Sequence, residues 1–245
     1  MVFRTDAVED ALHMEIRDRY LEIKKRADEA AVRSGRRPED VRLLAVTKTH
    51  PASEINEAID AGATEIGENR VQELLEKYED VKPVKWHLIG HLQTNKVRQV
   101  IDKVVMIHSV DSLKLAKEID KRAASAGITM DVLIEINSAM EETKSGIAAS
   151  DLRTLVSEIT EQCGSVRVCG IMCIPPIAAE PEDSRPYFRE AAELLREMQT
   201  WDLPAERFCP KELSMGMSGD FEVAIEEGAT IVRVGSSIFG PRNYR

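Results

Sequence analysis

A lysine set just past an apolar run is the first residue in this chain that could do chemistry. In "VRLLAVTKTHP", residues 41–51, a strand-like run leads to Lys48 and stops at His50-Pro51. Side chains alternate along a strand, so if Leu44 and Val46 face the interior, Lys48 follows them while Leu43 and Ala45 pack on helices. Desolvation disfavours the ammonium and lowers a lysine pKa from its reference of ~10.4. The neutral amine is then available to attack a carbonyl and form an imine. A strand-end lysine that snorkels to solvent fits the same position, so the position alone does not decide.

The far end of the chain supplies further groups. In "ATIVRVGSSIFGPR", Arg233 and Gly235 share one strand parity, opposite to Val232 and Val234. Glycine permits close backbone approach, and the amides and hydroxyls of Ser236 and Ser237 open a short helix or turn suited to an anion. The segment "SMGMSGD" adds Ser214, the Met215 and Gly216 amides, and Ser218. Either loop alone reads equally well as a tight turn. Two loops with the same chemistry favour a phosphate site of the kind that barrels build after strands seven and eight. Lysine, arginine and a phosphate cradle together describe a phosphorylated aldehyde held as an imine, and pyridoxal 5'-phosphate (PLP) meets all three conditions. The five histidines, His13, His50, His87, His91 and His108, contain no zinc-type spacing, and no metal site is expected.

These residues need elements to position them. Apolar runs at 41–46, 63–66, 85–89, 104–107, 130–136, 166–171, 212–215 and 230–234 read as eight strands. Helix-period segments lie between them, several opening on a capping residue (Ser53, Asp111, Ser150) and several closing on glycine (Gly62, Gly127, Gly228). Regular alternation implies parallel strands with right-handed crossovers, and eight units select an α/β fold of the closed (β/α)8 TIM-barrel type. A long amphipathic helix from about Val8 to Arg33 precedes them, so residues 1–245 are expected as one barrel domain with residues 1–38 as an N-terminal helix packed on it. The mouth of such a barrel is made by the residues that close each strand. Here these are Lys48, Gly67-Glu68-Asn69, Gly90-His91, His108-Ser109, Asn137-Ser138, Met172-Cys173, Ser214-Met215-Gly216 and Gly235-Ser236.

Composition narrows the partners. A net charge of −10 repels a phosphate backbone and argues against nucleic acid. No apolar run reaches the ~18 residues of a membrane span, and the acidic N-terminal stretch does not read as a presequence. Four cysteines without a C-x-x-C pair fit a reducing cytoplasm. An acidic surface with no long apolar stripe outside the barrel pattern fits a monomer.

With those residues in view, "AVTKTHP", "GENRVQE", "WHLIGHLQTNK", "KSGI", "GIMCIP", "LSMGMSGD" and "VRVGSSIFG" closely resemble the pyridoxal phosphate homeostasis proteins, the YggS-like or PROSC-like group. The motifs span nearly the whole chain in order. The resemblance implies a barrel like the N-terminal domain of alanine racemase, the fold-type III PLP architecture. It implies PLP carried on Lys48 as an internal aldimine, with Arg233 at the pyridine nitrogen. It further implies Ser214, Gly235, Ser236 and the Met215 amide at the phosphate and Asn69 at the cofactor's polar edge; His87 reads either as a residue near the ring or, more commonly, as a strand histidine satisfied internally. Cys173 and His91 stand where the family often has a small or apolar residue and a proline.

An arginine stays protonated, so Arg233 would keep the ring nitrogen unprotonated and the ring a weak electron sink. Racemases of this architecture draw a second base from an additional β domain, and here only ten residues follow Gly235. The expectation is therefore a PLP homeostasis protein that holds the cofactor and buffers or supplies it to apo-enzymes, with no catalytic residues and no robust catalysis. A PLP-dependent amino acid racemase or decarboxylase of fold type III is the alternative, and a class I aldolase acting on a sugar phosphate is a third reading.

Overall fold

Short apolar strands joined by amphipathic helices cannot pair as hairpins, because each crossover returns the next strand parallel to the last. The computed structural model, which describes residues 15–138, 145–176 and 178–240, shows the closed solution: eight parallel strands paired in chain order. They are β1 (Arg42–Val46), β2 (Glu65–Glu68), β3 (Lys85–Leu88), β4 (Met106–Val110), β5 (Met130–Ile136), β6 (Val166–Cys173), β7 (Phe208–Ser214) and β8 (Ile231–Val234). Closure runs through β1 and β8, with Leu44 opposite Arg233 and Ala45 opposite Val234. The two segments that sequence reading linked chemically are thus neighbours.

Helix α1 (Ile16–Arg33) precedes the barrel, and α2 (Ala52–Asp60), α3 (Val71–Lys77), α4 (Val97–Val100), α5 (Leu113–Ala126), α6 (Leu152–Gln162), α7 (Arg185–Met198), α8 (Phe221–Glu226) and α9 (Ser236–Phe239) follow the strands in turn. The small residues Ala27, Ala30 and Ala31 of α1 are buried, which lets the helix lie close to the barrel. Polar ties pin its far side: Arg26 to Glu222 at 3.0 Å, Arg33 to Glu226 at 3.2 Å, and Arg36 to the Ala229 carbonyl at 2.9 Å. Leu21, one of the apolar residues of this helix, is exposed. Residues 8–14, where the sequence is expected to begin this helix, together with His13 and Lys144 of "KSGI", lie outside the described residues.

Several boundaries differ from the sequence reading, for a common reason. An apolar-run criterion stops at charge, whereas barrel strands accept charged and polar side chains on either face when these find partners. Strand β2 therefore runs on past residue 66 to Glu68, and β4 runs through His108 and Ser109, so those two lie inside the strand and not in the loop after it. Strand β7 begins at Phe208, four residues earlier than expected, and β6 continues to Cys173. At Gly170, φ is 149° and an added Cβ would stand 1.9 Å from the Glu212 carbonyl oxygen, so the close β6–β7 approach requires glycine. Of the expected caps, Ser112 and not Asp111 caps α5. Helix α2 starts at Ala52 behind Pro51, and Ser150 sits within a 3-10 turn, Ala149–Asp151. Gly127 ends α5 in the left-handed conformation as expected.

Parity separates two apolar layers. Leu44, Val46, Ile89, Met106, Leu133, Cys169, Met172 and Ile231 fill the barrel interior. Leu43, Ala45, Val232 and Val234 pack on the helices in the larger outer core. Lys48 and Arg233 therefore belong to the interior side of their strands.

Candidate functional site

A cavity of about 270 Å³ opens at the carboxyl ends of the strands. Of the residues singled out from sequence, Lys48, Asn69, Ser218, Arg233, Gly235 and Ser236 line it. Val46, Ile89 and Ile174 form its apolar wall, and His50, Met217, Ser218 and Gly219 complete the rim.

The turn that carries Lys48 is clamped on both sides. Thr47 Oγ1 donates to Glu68 Oε1 at 2.6 Å, and Lys77 Nζ donates to that same oxygen at 2.7 Å and to the Thr47 carbonyl at 2.9 Å. The Thr49 amide donates to Glu73 at 2.7 Å, and Thr49 holds φ at 67°, unusual for a β-branched residue. His50 lies 2.7 Å from Glu54 through Nδ1 and stacks on Phe239 with ring centroids 5.0 Å apart. Glu68 is fully buried; burial raises its pKa while Lys77 and Thr47 pull it back. The glutamate of "GEN" thus faces the helix layer as a positioning group, and Asn69 beside it faces the cavity. A strand-parity reading of "EIGEN" separates these two, since Gly67 points at Leu44 and Ile89.

Arg233 is 4% exposed, donates from Nη1 to Ser214 Oγ at 2.7 Å and from Nη2 to the Cys173 carbonyl at 3.0 Å. Burial pushes its pKa down to about 10, against the opposing pull of Cys173, Asp220 and Glu135, so it remains a cation at neutral pH. The carboxyl of Glu135, also interior by parity, is pushed up to about 7 by burial and by Asp111, with Arg233 opposing. Cys173 contributes through its backbone carbonyl. Its thiol lies 2.9 Å from Ser138 Oγ and is raised by burial. His91 is exposed and stands 3.9 Å from Asp111, off the cavity wall.

Ser214 and Met215 do not stand at the cavity as expected. Ser214 is fully buried beneath Arg233, with Oγ also 3.0 Å from His108 Nδ1. The Met215 amide donates to the Ile231 carbonyl at 3.1 Å, so the barrel's own ladder uses it. The chain reaches the rim only after Gly216, where φ is 87° and a Cβ would meet Ala224 Cβ at 2.5 Å. Ser218, two residues after Gly216, takes the rim position, its Oγ accepting from the amides of Gly235 and Ser237 at 3.3 Å each. The sequence puts both serines of this loop forward, and their depth separates Ser218 at the rim from Ser214 below it.

The donor set fits a pyridoxal phosphate by chemistry. An amine and a guanidinium share one pocket, serines stand at its rim, and Asn69 Oδ1 is buried with no hydrogen-bond partner among the described residues. Gly235 lies close against that wall, where a Cβ would stand 3.2 Å from the Val46 carbonyl oxygen.

Fold and pocket define a barrel of the alanine racemase type: the family model described as "Alanine racemase, N-terminal domain" matches residues 22–243. Within that class the chain belongs to the pyridoxal phosphate homeostasis protein family. A protein of that name from Aquifex aeolicus is 48% identical over 229 residues, covering 93% of this chain and 98% of the relative. The structure of PipY from Synechococcus elongatus with PLP bound superposes with a TM-score of 0.72 at 36% identity, over 89% of this chain and all of that one. Alanine racemase from Corynebacterium glutamicum shares the fold, with a TM-score of 0.66 at 17% identity over 93% of this chain and 62% of that one.

Proposed function

We propose that this protein binds pyridoxal 5'-phosphate through Lys48 and serves PLP homeostasis, holding the reactive aldehyde and supplying it to apo-enzymes. The observation that carries the reading is the pairing of Lys48 and Arg233 on one cavity whose rim presents Ser218, Gly235 and Ser236. The cofactor brings an aldehyde that condenses reversibly with an amine, releasing water, and a pyridine ring that withdraws electrons. The protein's part is placement. The Thr47–His50 turn fixes the lysine backbone, and Arg233 offers N–H donors to a ring nitrogen that it keeps unprotonated. Asn69 supplies an acceptor, and the Ser218 and Ser236 hydroxyls serve the phosphate.

Holding suits this pocket better than turnover. Among the described residues on its wall, the ionisable groups are Lys48, His50 and Arg233. Arg233 has no proton to exchange at neutral pH, and the His50 ring is engaged by Glu54 and Phe239. Proton abstraction and return on opposite faces of a substrate needs two bases, and Lys48 alone is placed as one. Borohydride reduction of the PLP-loaded protein followed by peptide mapping tests the attachment. A pyridoxyl group on the peptide containing Lys48 is the expected result, and its recovery only on other lysines contradicts the proposal.

A further inference from the structure

The guanidinium of Arg233 is buried, yet among the described residues no carboxylate lies within 4 Å of it. A buried charge without a direct counter-ion needs compensation from further away. A line of polar side chains crosses the barrel interior from this arginine. Arg233 Nη1 meets Ser214 Oγ at 2.7 Å, Ser214 Oγ meets His108 Nδ1 at 3.0 Å, and His108 Nε2 meets His87 Nδ1 at 2.9 Å. His87 Nε2 then stands 3.2 Å from Glu65 Oε2, within ion-pair reach though outside strict hydrogen-bond geometry. Glu65 sits at the opposite, amino-terminal end of the strands, beside Arg42 at 3.4 Å and Lys85 at 3.3 Å. Ser214, His108 and His87 are each fully buried.

We propose that Ser214, His108, His87 and Glu65 form a one-way hydrogen-bond chain that positions Arg233 for the cofactor and carries the Glu65 negative charge toward it. The sense follows from which atoms can donate. Arginine only donates, and an ionised carboxylate only accepts, so the two ends are fixed. With both histidines neutral, His87 gives its Nε2 proton to Glu65, His108 gives its Nε2 proton to His87 Nδ1, and Ser214 gives its hydroxyl proton to His108 Nδ1. The serine oxygen then presents only lone pairs to the guanidinium. The reverse sense requires an imidazolium at His87 and aims a second N–H at the oxygen that already receives Arg233. That would add positive charge where the arginine most needs negative. Aligned bonds polarise one another in the same direction, and an outer partner that orients a binding group matters nearly as much as the group itself. Burial independently keeps His108 neutral, with the Arg233 and Arg42 cations acting the same way. Ser214 and the two histidines are therefore positioning residues, acting on the ligand through Arg233.

The chain rests on the cofactor reading only for what Arg233 touches, so the test separates the two. In the full-length apoprotein at neutral pH, long-range proton–nitrogen correlation spectra are expected to show both His87 and His108 protonated at Nε2 alone. A proton on Nδ1 of either ring, or an imidazolium at either, overturns the proposal. Titration of PLP into Glu65→Gln and Ser214→Ala then reads the coupling. In each the dissociation constant is expected to rise about tenfold at unchanged stoichiometry. Ser214→Ala cuts the chain beside Arg233 without touching Glu65, and it decides the matter should Glu65→Gln fail to fold. Wild-type affinity in a folded variant overturns the chain. A wild-type protein that binds no PLP defeats the cofactor reading instead, and the tautomers still decide the chain.

Discussion

Two buried carboxylates show how the interior sets charge residue by residue. Glu65 is held down to about 2 because His87, Arg42 and Lys85 outweigh the cost of burial, whereas Glu135 is pushed up to about 7 by burial and Asp111. An unfolded glutamate ionises near 4.5. Folding therefore takes up a proton at Glu135 between about 4.5 and 7, and the stability this group contributes is full below that window and lost as pH rises through it. Glu65 has the opposite sign: its contribution is present above 4.5 and lost as pH falls toward 2. Replacing Glu135 by Gln is expected to remove the first dependence. Relative to wild type, the variant should gain up to roughly 3 kcal/mol on going from pH 4 to pH 8. Urea denaturation at the two pH values checks this, and equal differences at both would contradict the assignment.

At the scale of elements, the turn between β1 and α2 is held by groups that belong to β2 and α3. Lys77 from α3 reaches the Thr47 carbonyl and the fully buried Glu68, so Lys77→Met would strand that carboxylate without its cation. The expected cost is ~3–5 kcal/mol of stability, read from the shift in denaturant midpoint at constant slope. Gly170→Ala should be worse tolerated than any cap change, because the β6–β7 approach leaves no room for a methyl group, and soluble yield reports the outcome. The alternation of strands and helices, and the parity that turns Lys48 and Arg233 inward, were legible because both follow from periodicity. What was not legible was polar structure inside strands. Glu68 and His108 lie past the apolar runs on paper, yet each is paired, Glu68 with Thr47 and Lys77 and His108 with His87 and Ser214, by contacts that no local pattern reveals. The same limit explains Ser214: its place at the end of β7 was legible, but its depth below the rim depends on where β7 ends relative to β8.

For the whole molecule, barrel closure is what makes a site from two distant segments. Lys48 and Arg233 stand 185 positions apart in the chain and meet because β1 pairs with β8. Among the described residues no helix is long and apolar enough to cross a membrane. A ligand that bridges both halves of the mouth binds only the folded state, so it stabilises by mass action. PLP at one hundred times its dissociation constant should add ~2.7 kcal/mol to unfolding, visible as a concentration-dependent rise in Tm. The central claim is that Lys48 tethers the cofactor in this mouth. The most direct measurement is the absorbance of the purified protein titrated with PLP, wild type beside Lys48→Ala. Wild type is expected to develop a stoichiometric imine band that the variant lacks while both remain folded; the same band at the same stoichiometry in Lys48→Ala would contradict the account.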